Sequence, residues 1–209
     1  YKRQNFPLAF ENATSFKHWN FRMAHPMKYI IFDELQRPEV DVFMFHEHGA
    51  PEKQYINGEK PSSSVKERYN DLRSSLYSLI RRHTRNGKKT EEELIEKLCK
   101  EYGLTPQLFK DLHNDSLRVL DSIAGEEINI SAAEFHNRKT YPKFVMFDAC
   151  YNGSFHEDEY IAGEYIFNDG GTLVAQGNTR NVLQDRWTIE MIGLLSHGMR
   201  LSLIHISEP

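Results

Sequence analysis

Phe144–Cys150 read Phe-Val-Met-Phe-Asp-Ala-Cys, a run of apolar residues that ends in a carboxylate, a small residue and a thiol. A continuous apolar run of this length is typical of a strand buried on both faces, as in a parallel sheet. A thiol directly after such a strand would lie at the carboxyl edge of the sheet, where α/β proteins place reacting groups. The segment therefore predicts an α/β fold with chemistry at Cys150.

Further apolar runs lie on either side of this strand. Val40–Phe45 (VDVFMF) precedes His-Glu-His-Gly, Thr172–Ala175 (TLVA) precedes Gln-Gly-Asn, and Met27–Phe32 (MKYIIF) is predicted as another strand. Amphipathic spacing and capping signals predict helices at Ser64–Arg82, at Thr90–Tyr102 with Gly103 as its stop, from Thr105-Pro106 onward, at Asp158–Phe167 and at Asp185–Leu195. Alternating strands and helices predict a mainly parallel sheet flanked by helices.

The stretch from about residue 62 to residue 123 is charged, helical in pattern and poor in strands. We interpret it as a helical insertion in one domain that spans residues 1–200. Within it, Arg81–Lys89 (RRHTRNGKK) holds five Lys or Arg residues and is predicted to be an exposed loop. The loop is either a solvated connection or a specific binding patch.

Composition limits the classes of function. The 209 residues, 39% of them hydrophobic, can build one sizeable core. A net charge of −4 gives no electrostatic reason to expect nucleic acid as a partner, and no apolar stretch is long enough to span a membrane. The two cysteines exclude a disulfide scaffold, and Cys99, in a helical pattern, is predicted to be a small buried apolar residue.

Both ends of the sequence are expected to be artificial. It begins at Tyr1 without a Met or a signal-peptide pattern, so we expect an internal fragment. The last nine residues, Leu201–Pro209 (LSLIHISEP), resemble a translated sequencing adapter. This tail, with His205, is therefore left out of the predicted fold.

Two predicted strands end in reactive residues, one in His48-Gly49 and the other in Cys150. Parallel neighbours would present both at one sheet edge. A thiolate that attacks a carbonyl carbon needs an imidazole to manage the proton, and the backbone N–H groups of Gly49 and Cys150 could hold the oxyanion. Spacing alone leaves this dyad open, because the chain holds ten histidines and a Cys after an apolar run can be structural.

A strand ending in His-Gly, followed by a strand ending in Asp-Ala-Cys, resembles the caspase-like cysteine peptidases. Phe144–Phe155 (FVMFDACYNGSF) is most similar to the nucleophile segment of the gingipain-type peptidases of Bacteroidetes. Residues 170–187 (GGTLVAQGNTRNVLQDRW) resemble their next strand and the loop that leads to a Trp. The resemblance covers roughly Val40–Gly49 and Phe144–Arg200.

The resemblance implies a caspase-like fold and a cysteine endopeptidase that acts on protein or peptide substrates without a cofactor. It implies Cys150 as nucleophile, His48 as the histidine, and Gly49 with Cys150 as oxyanion donors. Export to the extracellular space or cell surface is implied as well. Two departures stand out: Glu47 replaces the Gly that often precedes the family histidine, and His48 and Cys150 are 102 positions apart (150 − 48) against roughly 50 in caspases. The orienting acid of some relatives has no identifiable counterpart.

Asp148 precedes Cys150 by two residues and so shares its side of the strand end. In caspase-like enzymes this position borders the pocket for the P1 side chain, and a carboxylate there would favour Arg or Lys. The alternative is a strand-end Asp satisfied by backbone donors. Trp187 is predicted either as a wall of the same pocket or as a core residue. With a basic P1 residue, Arg81–Lys89 becomes a predicted self-cleavage site.

Two other readings remain open. His46 and His48 would face the same side of one strand with Glu47 nearby, which makes a metal site conceivable, although no complete ligand set can be named and we predict no metal. The fragment could instead be a catalytically inactive caspase-like interaction module of a larger surface protein. Retention of both His-Gly and Asp-Ala-Cys favours the enzyme.

Overall fold

The computed structural model describes Ser15, Lys17, Trp19 and residues 26–56, 63–85, 87, 89–183 and 187–201, with side chains left out at 187–190. The tail prediction at 202–209, including His205, lies outside these residues. The chain divides into two compact units, one of Tyr1–Ile56 with Asn129–Pro209 and one of Asn57–Ile128. The elements in chain order are α1 (Lys28–Leu35), β1 (Val42–His46), β2 (His48–Ala50), β3 (Lys53–Tyr55), α2 (Val65–Arg85), α3 (Glu91–Tyr102), α4 (Asp115–Ile128), β4 (Asn129–Ser131), β5 (Phe144–Asp148), α5 (Ile161–Phe167), β6 (Val174–Gln176) and α6 (Trp187–Ser196).

The first unit is built on a parallel sheet with strand order β1-β5-β6. Phe45 lies opposite Phe147 and His46 opposite Asp148, while Met146 pairs with Gln176 on the other side. Every residue of the central strand β5 is buried. The prediction of an α/β fold with a parallel sheet flanked by helices is therefore confirmed, because a strand covered on both faces must be apolar throughout.

Helices cover both faces of this sheet. On one face Phe45 and Phe147 stack with their ring centroids 5.3 Å apart, and Tyr165 of α5 packs edge-on against Phe147 at 5.0 Å. Residues of α1, including Phe32, join the same core. On the other face, Phe144 and Met146 pack against Met191 of α6. The alternation of β5 side chains between the two cores is the period of two that a strand imposes.

The prediction of a strand at Met27–Phe32 is wrong, because Lys28–Leu35 forms α1. Ile31, Phe32 and Leu35 are buried on one side of that helix, at spacings that a helix brings together. Lys28 is also buried, and its Nζ lies 2.8 Å from Glu134 Oε1. A six-residue apolar run fits a strand and a short helix equally well, so its type could not be decided from periodicity.

A second sheet was not predicted. The short strands β2, β3 and β4 form it in antiparallel pairs, with Gly49 opposite Gln54 and Tyr55 opposite Asn129. His48 begins β2, so it belongs to this sheet and His46 to the parallel one. The premise that both histidines lie on one strand and share a face is therefore wrong.

The unit Asn57–Ile128 is helical in its described part. Its core is formed by residues of α2, α3 and the segment that follows, with Cys99 partly buried against it: Leu76, Tyr77, Ile80, Leu94, Leu98, Leu108, Phe109 and Leu112. The predicted capping box at Thr90 and the stop at Gly103, with φ of 64°, are confirmed. Only a 3-10 turn, Pro106–Phe109, follows Thr105, and Asp158–Phe167 is helical only from Ile161.

The basic segment Arg81–Lys89 is not a loop throughout. Arg81–Arg85 complete the last turn of α2, and the helix ends there. Cations in the last turn of a helix interact favourably with the negative end of its dipole, which explains the extension past the predicted end at Arg82. Among the described helices, none combines the length and the apolar character needed to cross a membrane.

Candidate active site

The carboxyl ends of β1 and β5 bring together the residues for which the sequence predicts chemistry. β1 ends at His46, the chain bends at Glu47, and β2 starts at His48. The Glu47 N–H donates to the Asp148 carbonyl oxygen over 3.3 Å, which continues the β1–β5 pairing past the last strand residue. This bend directs His48-Gly49 away from the parallel sheet and into the small antiparallel one.

His46 and Asp148 form a side-chain pair across the two strand ends. His46 Nδ1 lies 2.5 Å from Asp148 Oδ2, and Asp148 is only 4% exposed. The hydrogen bond that the His46 imidazole donates to Asp148 raises the pKa of His46 above its ordinary value of 6.5, with a smaller opposing effect of burial and a further contribution from the carboxylate charge. Asp148 is thus engaged by a histidine side chain.

Cys150 follows β5 after Ala149 and is partly exposed. Its Sγ accepts a hydrogen bond from the Val182 N–H at 3.4 Å and donates to the Val182 carbonyl oxygen at 3.6 Å. Among the described residues the Cys150 N–H has no hydrogen-bond acceptor. That N–H therefore has the availability that an oxyanion donor requires.

The residue after the thiol has a strained backbone. Tyr151 has φ of 61°, a left-handed conformation that is costly for a residue with a side chain. Neighbouring hydrogen bonds hold it there: the Tyr151 N–H donates to the Arg180 carbonyl, and its own carbonyl accepts from the Ser154 hydroxyl at 2.6 Å. The sharp turn after Cys150 is thus fixed by the protein. Strain of this kind concentrates at functional sites.

Gly49 packs directly against the Cys150 turn. A Cβ at position 49 would lie 2.5 Å from the Cys150 carbonyl oxygen and 2.6 Å from Asn152 Oδ1, so only glycine fits without a shift of the backbone. Asn152 is fully buried, and its Nδ2 donates to the carbonyls of Ala50 at 2.6 Å and Lys53 at 2.9 Å. The segment after His48 and the segment after Cys150 are therefore locked together.

The end of β6 supports the same turn. Gly153 and Gly177 approach each other so closely that a Cβ on either would overlap the other's backbone. The Gly153 N–H donates to the Asn178 carbonyl at 3.0 Å, and the Asn178 side chain donates to the Ala149 carbonyl at 3.1 Å. The Cys150 turn is thus held from both sides, by β2 and by the residues after β6.

A buried polar chain lies beneath the bend between the two histidines. The Tyr165 hydroxyl donates to Gln54 Oε1 at 2.8 Å, and Gln54 Nε2 donates to Glu47 Oε1 at 2.6 Å. Part of Glu47 is exposed, but its carboxyl group is desolvated, which raises its pKa from 4.5 to about 8 against the opposing effect of the Gln54 hydrogen bond. The sequence analysis did not predict this chain of hydrogen bonds; it noted Glu47 as a departure from the family pattern and as a neighbour of the two histidines.

The predicted site residues thus fall into three groups. Gly49 and the Cys150 turn are in contact, and His48 stands beside Gly49 with an exposed side chain. No hydrogen bond joins the His48 ring to the Cys150 thiol within the described residues. Asp148 pairs with His46, and Trp187 begins α6, although its side chain is outside the described part. The Asn-Gly dipeptide after Cys150-Tyr151 was the available signal for the turn.

Metal-ligating side chains come together at one place in the described residues. His136, Glu159 and Glu164 each offer a ligand atom, and these atoms lie within 4.8 Å of one another. Two of the three side chains are exposed. Burial raises the pKa of Glu164, against a smaller lowering effect of His136 and with a further raising effect of Glu159. Only the short distances between these three ligand atoms favour a metal site.

Comparison of the chain with protein-family models, with curated proteins and with solved structures gave no match.

Proposed function

We propose that this chain is a cysteine peptidase in which Cys150 is the nucleophile and His48 the general base. The observation that carries the proposal is the contact of Gly49 with the Cys150 carbonyl and with Asn152. This contact joins the two segments on which the chemistry depends, although about half of the chain separates them in sequence. The gingipain-like motif Phe144–Phe155 supports the same assignment.

The reaction follows from the groups present. The Cys150 sulfur attacks the peptide carbonyl carbon and forms a carbon–sulfur bond, while its proton passes to His48. The negative charge on the carbonyl oxygen would be held by backbone N–H groups: that of Cys150, which has no acceptor among the described residues, and that of Gly49 as the second donor. His48 then protonates the leaving amine. A water, deprotonated by His48, hydrolyses the thioester and returns the thiol.

His48 is preferred to His46 as the base for two reasons. His48 precedes Gly49, which contacts the Cys150 turn, whereas His46 Nδ1 is engaged by Asp148. The exposed His48 ring also has room to turn toward a bound substrate. The lack of a direct hydrogen bond to the thiol does not oppose this role, because catalytic hydrogen bonds in free enzymes often tighten only with substrate.

The finer parts of the proposal concern substrate and setting. A cationic P1 side chain, Arg or Lys, would contact the Asp148 carboxylate, and Trp187 would flank its aliphatic stem. The family resemblance adds protein or peptide substrates and an extracellular or cell-surface location. The substrate class and the location both follow from the likeness to gingipain-type peptidases. For a basic P1 residue, the Asp148 carboxylate would have to contact His46 and the substrate at the same time.

The proposal is tested by labelling the whole chain with iodoacetamide and with an acyloxymethyl ketone at neutral pH. Cys150 is expected to react far faster than Cys99, which is partly buried in the helical core and serves as an internal control. Cys150→Ala is expected to remove the fast label and all peptide hydrolysis. Equal, slow labelling of both cysteines in a protein with native circular dichroism would contradict an activated thiol.

A second candidate is a catalytically inactive interaction module with the same fold. The observation in its favour is that the Cys150 thiol is bonded to the backbone of Val182 and to no imidazole in the described residues. The two candidates differ in the labelling experiment. In an inactive module the Cys150 thiol would not be labelled faster than an ordinary thiol. The ketone probe would then label Cys150 and Cys99 at similar rates.

A further inference from the structure

We infer that the helical unit carries a binding site for a compact polyphosphate anion, in a cavity between α2 and α4 that is lined by arginines. The cavity has a volume of about 350 Å³. This volume is at the lower end of the range of small-ligand pockets. The inference does not depend on the peptidase assignment, because every lining residue belongs to the unit Asn57–Ile128.

The α2 side of the cavity is one face of the helix. Ser78, Arg81, Arg82 and Arg85 line it, at helical spacings that place them side by side. Arg81 is held in place, since its Nη2 donates to the Leu112 carbonyl at 2.9 Å. Arg82 and Arg85 make no ion pair with any described residue. Two guanidinium groups are thus available to a ligand.

The α4 side adds a further guanidinium group, that of Arg118, together with Asp121 and Ser122. Asp121 is the only carboxylate among the described lining residues, and it is already shared by Arg73 at 3.6 Å and Arg81 at 3.7 Å. Four guanidinium groups therefore surround the cavity against one carboxylate. This excess of positive charge attracts anions, and the planar guanidinium forks match phosphate oxygens.

The helix dipole does not explain the cluster. Cations in the last turn of α2 are favoured by its negative end, which accounts for Arg82 and Arg85. Arg118, however, lies near the start of α4, where the dipole disfavours a positive charge. Its pairing with the exposed Asp115 at 3.1 Å offsets part of that cost. Convergence of arginines from both helices on one cavity is what an anion site requires.

The ligand class follows from the lining. Two serine hydroxyls and four guanidinium groups line the cavity, and such donors suit a ligand rich in oxygen acceptors. Several cations around one cavity favour several linked phosphates over a single carboxylate, because each charged hydrogen bond adds to the binding free energy. Free pyrophosphate and tripolyphosphate represent this chemistry.

The experiment is calorimetric titration of the whole chain, with Cys150→Ala to prevent self-cleavage, against inorganic phosphate, pyrophosphate and tripolyphosphate. Affinity is expected to rise with phosphate number and to fall with added salt. The double variant Arg82→Gln/Arg85→Gln is expected to bind tripolyphosphate at least about tenfold more weakly. Lys66→Gln/Arg68→Gln removes the same charge from exposed positions on the same helix, and we expect no change.

Three results would overturn the inference: no measurable binding of tripolyphosphate, an equal loss in the control variant, or binding of long nucleic-acid strands without any binding of tripolyphosphate. The first two would mean that the cavity is not a site, and the third that the arginines form an extended surface. If Arg82→Gln/Arg85→Gln lost its helical circular dichroism, Arg118→Gln on the other helix would carry the same expectation.

Discussion

His46 and Asp148 face each other at the ends of two adjacent parallel strands, with the imidazole Nδ1 2.5 Å from the carboxylate Oδ2. The pair lies two residues before His48 on one strand path and two before Cys150 on the other. The hydrogen bond to the Asp148 carboxylate, and in addition its charge, stabilise the charged imidazole, which is why the pKa of His46 is raised. Asp148 could therefore serve substrate binding, the histidine, or both.

Replacement of Asp148 by Asn separates these roles, because the amide keeps the shape and removes the charge. We expect the ratio of kcat/KM for Arg over neutral P1 substrates to fall about tenfold or more if the carboxylate contacts P1. The pKa of His46 should fall as well, which chemical-shift titration of the imidazole would measure. Asp41→Asn, with the same change in charge just before β1, is the control. If the pKa of His46 fell but the ratio of kcat/KM for Arg over neutral P1 substrates did not change, Asp148 would act on His46 and not on the substrate.

The two histidines are distinguished by their alanine variants. His48→Ala is expected to reduce kcat/KM by about 10²- to 10⁴-fold, the usual contribution of a general base. His46→Ala should have a smaller effect, since we assign it no proton transfer from Cys150. Hydrolysis of a peptide library by each variant measures the difference. If His46→Ala lost activity and His48→Ala kept it, the general base would be His46, the histidine bound to Asp148.

Gly49→Ala should impair both stability and activity. The added Cβ would lie 2.5 Å from the Cys150 carbonyl, so β2 and the Cys150 turn must move apart. We expect a loss of about 1–3 kcal/mol in the free energy of unfolding, measured by urea denaturation. Gly125→Ala is the matched control, because a Cβ there meets open space on a helix, and it should stabilise by about 0.5–1 kcal/mol. Equal behaviour of the two variants would refute the close packing.

Glu47→Gln should change how stability depends on pH. The pKa of Glu47 is raised from 4.5 to about 8, so between these values the unfolded chain is ionised there and the folded chain is protonated. Folding then takes up a proton, and stability contributed by this group is full below pH 4.5 and falls as pH rises toward 8. The variant should lack this loss.

Urea denaturation of both proteins at pH 5 and pH 8 measures the effect. We expect the stability of Glu47→Gln relative to the native chain to improve with pH by on the order of a few kcal/mol. Glu96→Gln, an exposed change of the same kind on α3, should show no such trend. Parallel pH profiles for native and Glu47→Gln proteins would show that the Glu47 carboxyl is solvated.

Self-cleavage is expected at the basic segment that follows α2. Arg81–Arg85 are helical and so are poorly presented to a peptidase, which narrows the expected sites to bonds from Arg85 to Lys89. Mass spectrometry of active protein after long incubation should detect cleavage there and none in Cys150→Ala. If the protein stayed intact while it hydrolysed peptides, the segment from Arg85 to Lys89 would not be a self-cleavage site.

The sequence was sufficient to predict the central strand β5, because its burial imposes a visible pattern. β5 is covered on both faces and is therefore apolar along its whole length before Asp148. The capping residues Thr90 and Gly103 were equally readable, since their roles depend on local backbone geometry. Local signals of this kind need no knowledge of the rest of the fold.

The features that were missed depend on contacts between distant segments. β2, β3 and β4 are three residues each, too short to show periodicity. The His46–Asp148 pair depends on the register of β1 against β5, which composition does not encode. Asn152 is a turn residue by type, and only the fold reveals that its amide anchors the segment after Gly49.

Tyr55 and Asn129 are neighbours in the antiparallel pair β3–β4, so the unit Asn57–Ile128 leaves and rejoins the sheet at adjacent backbone positions. Strand pairing holds the two backbones at this junction about 5 Å apart, and Lys28 Nζ also donates to the Asn129 carbonyl oxygen. Because the entropy of closing a longer loop rises only slowly with its length, a larger, smaller or unrelated module could be grafted there at little thermodynamic cost. The junction between β3 and β4 is thus a natural exchange point, at which the chain could acquire a new accessory domain without redesign of the Gly49–Cys150 contact.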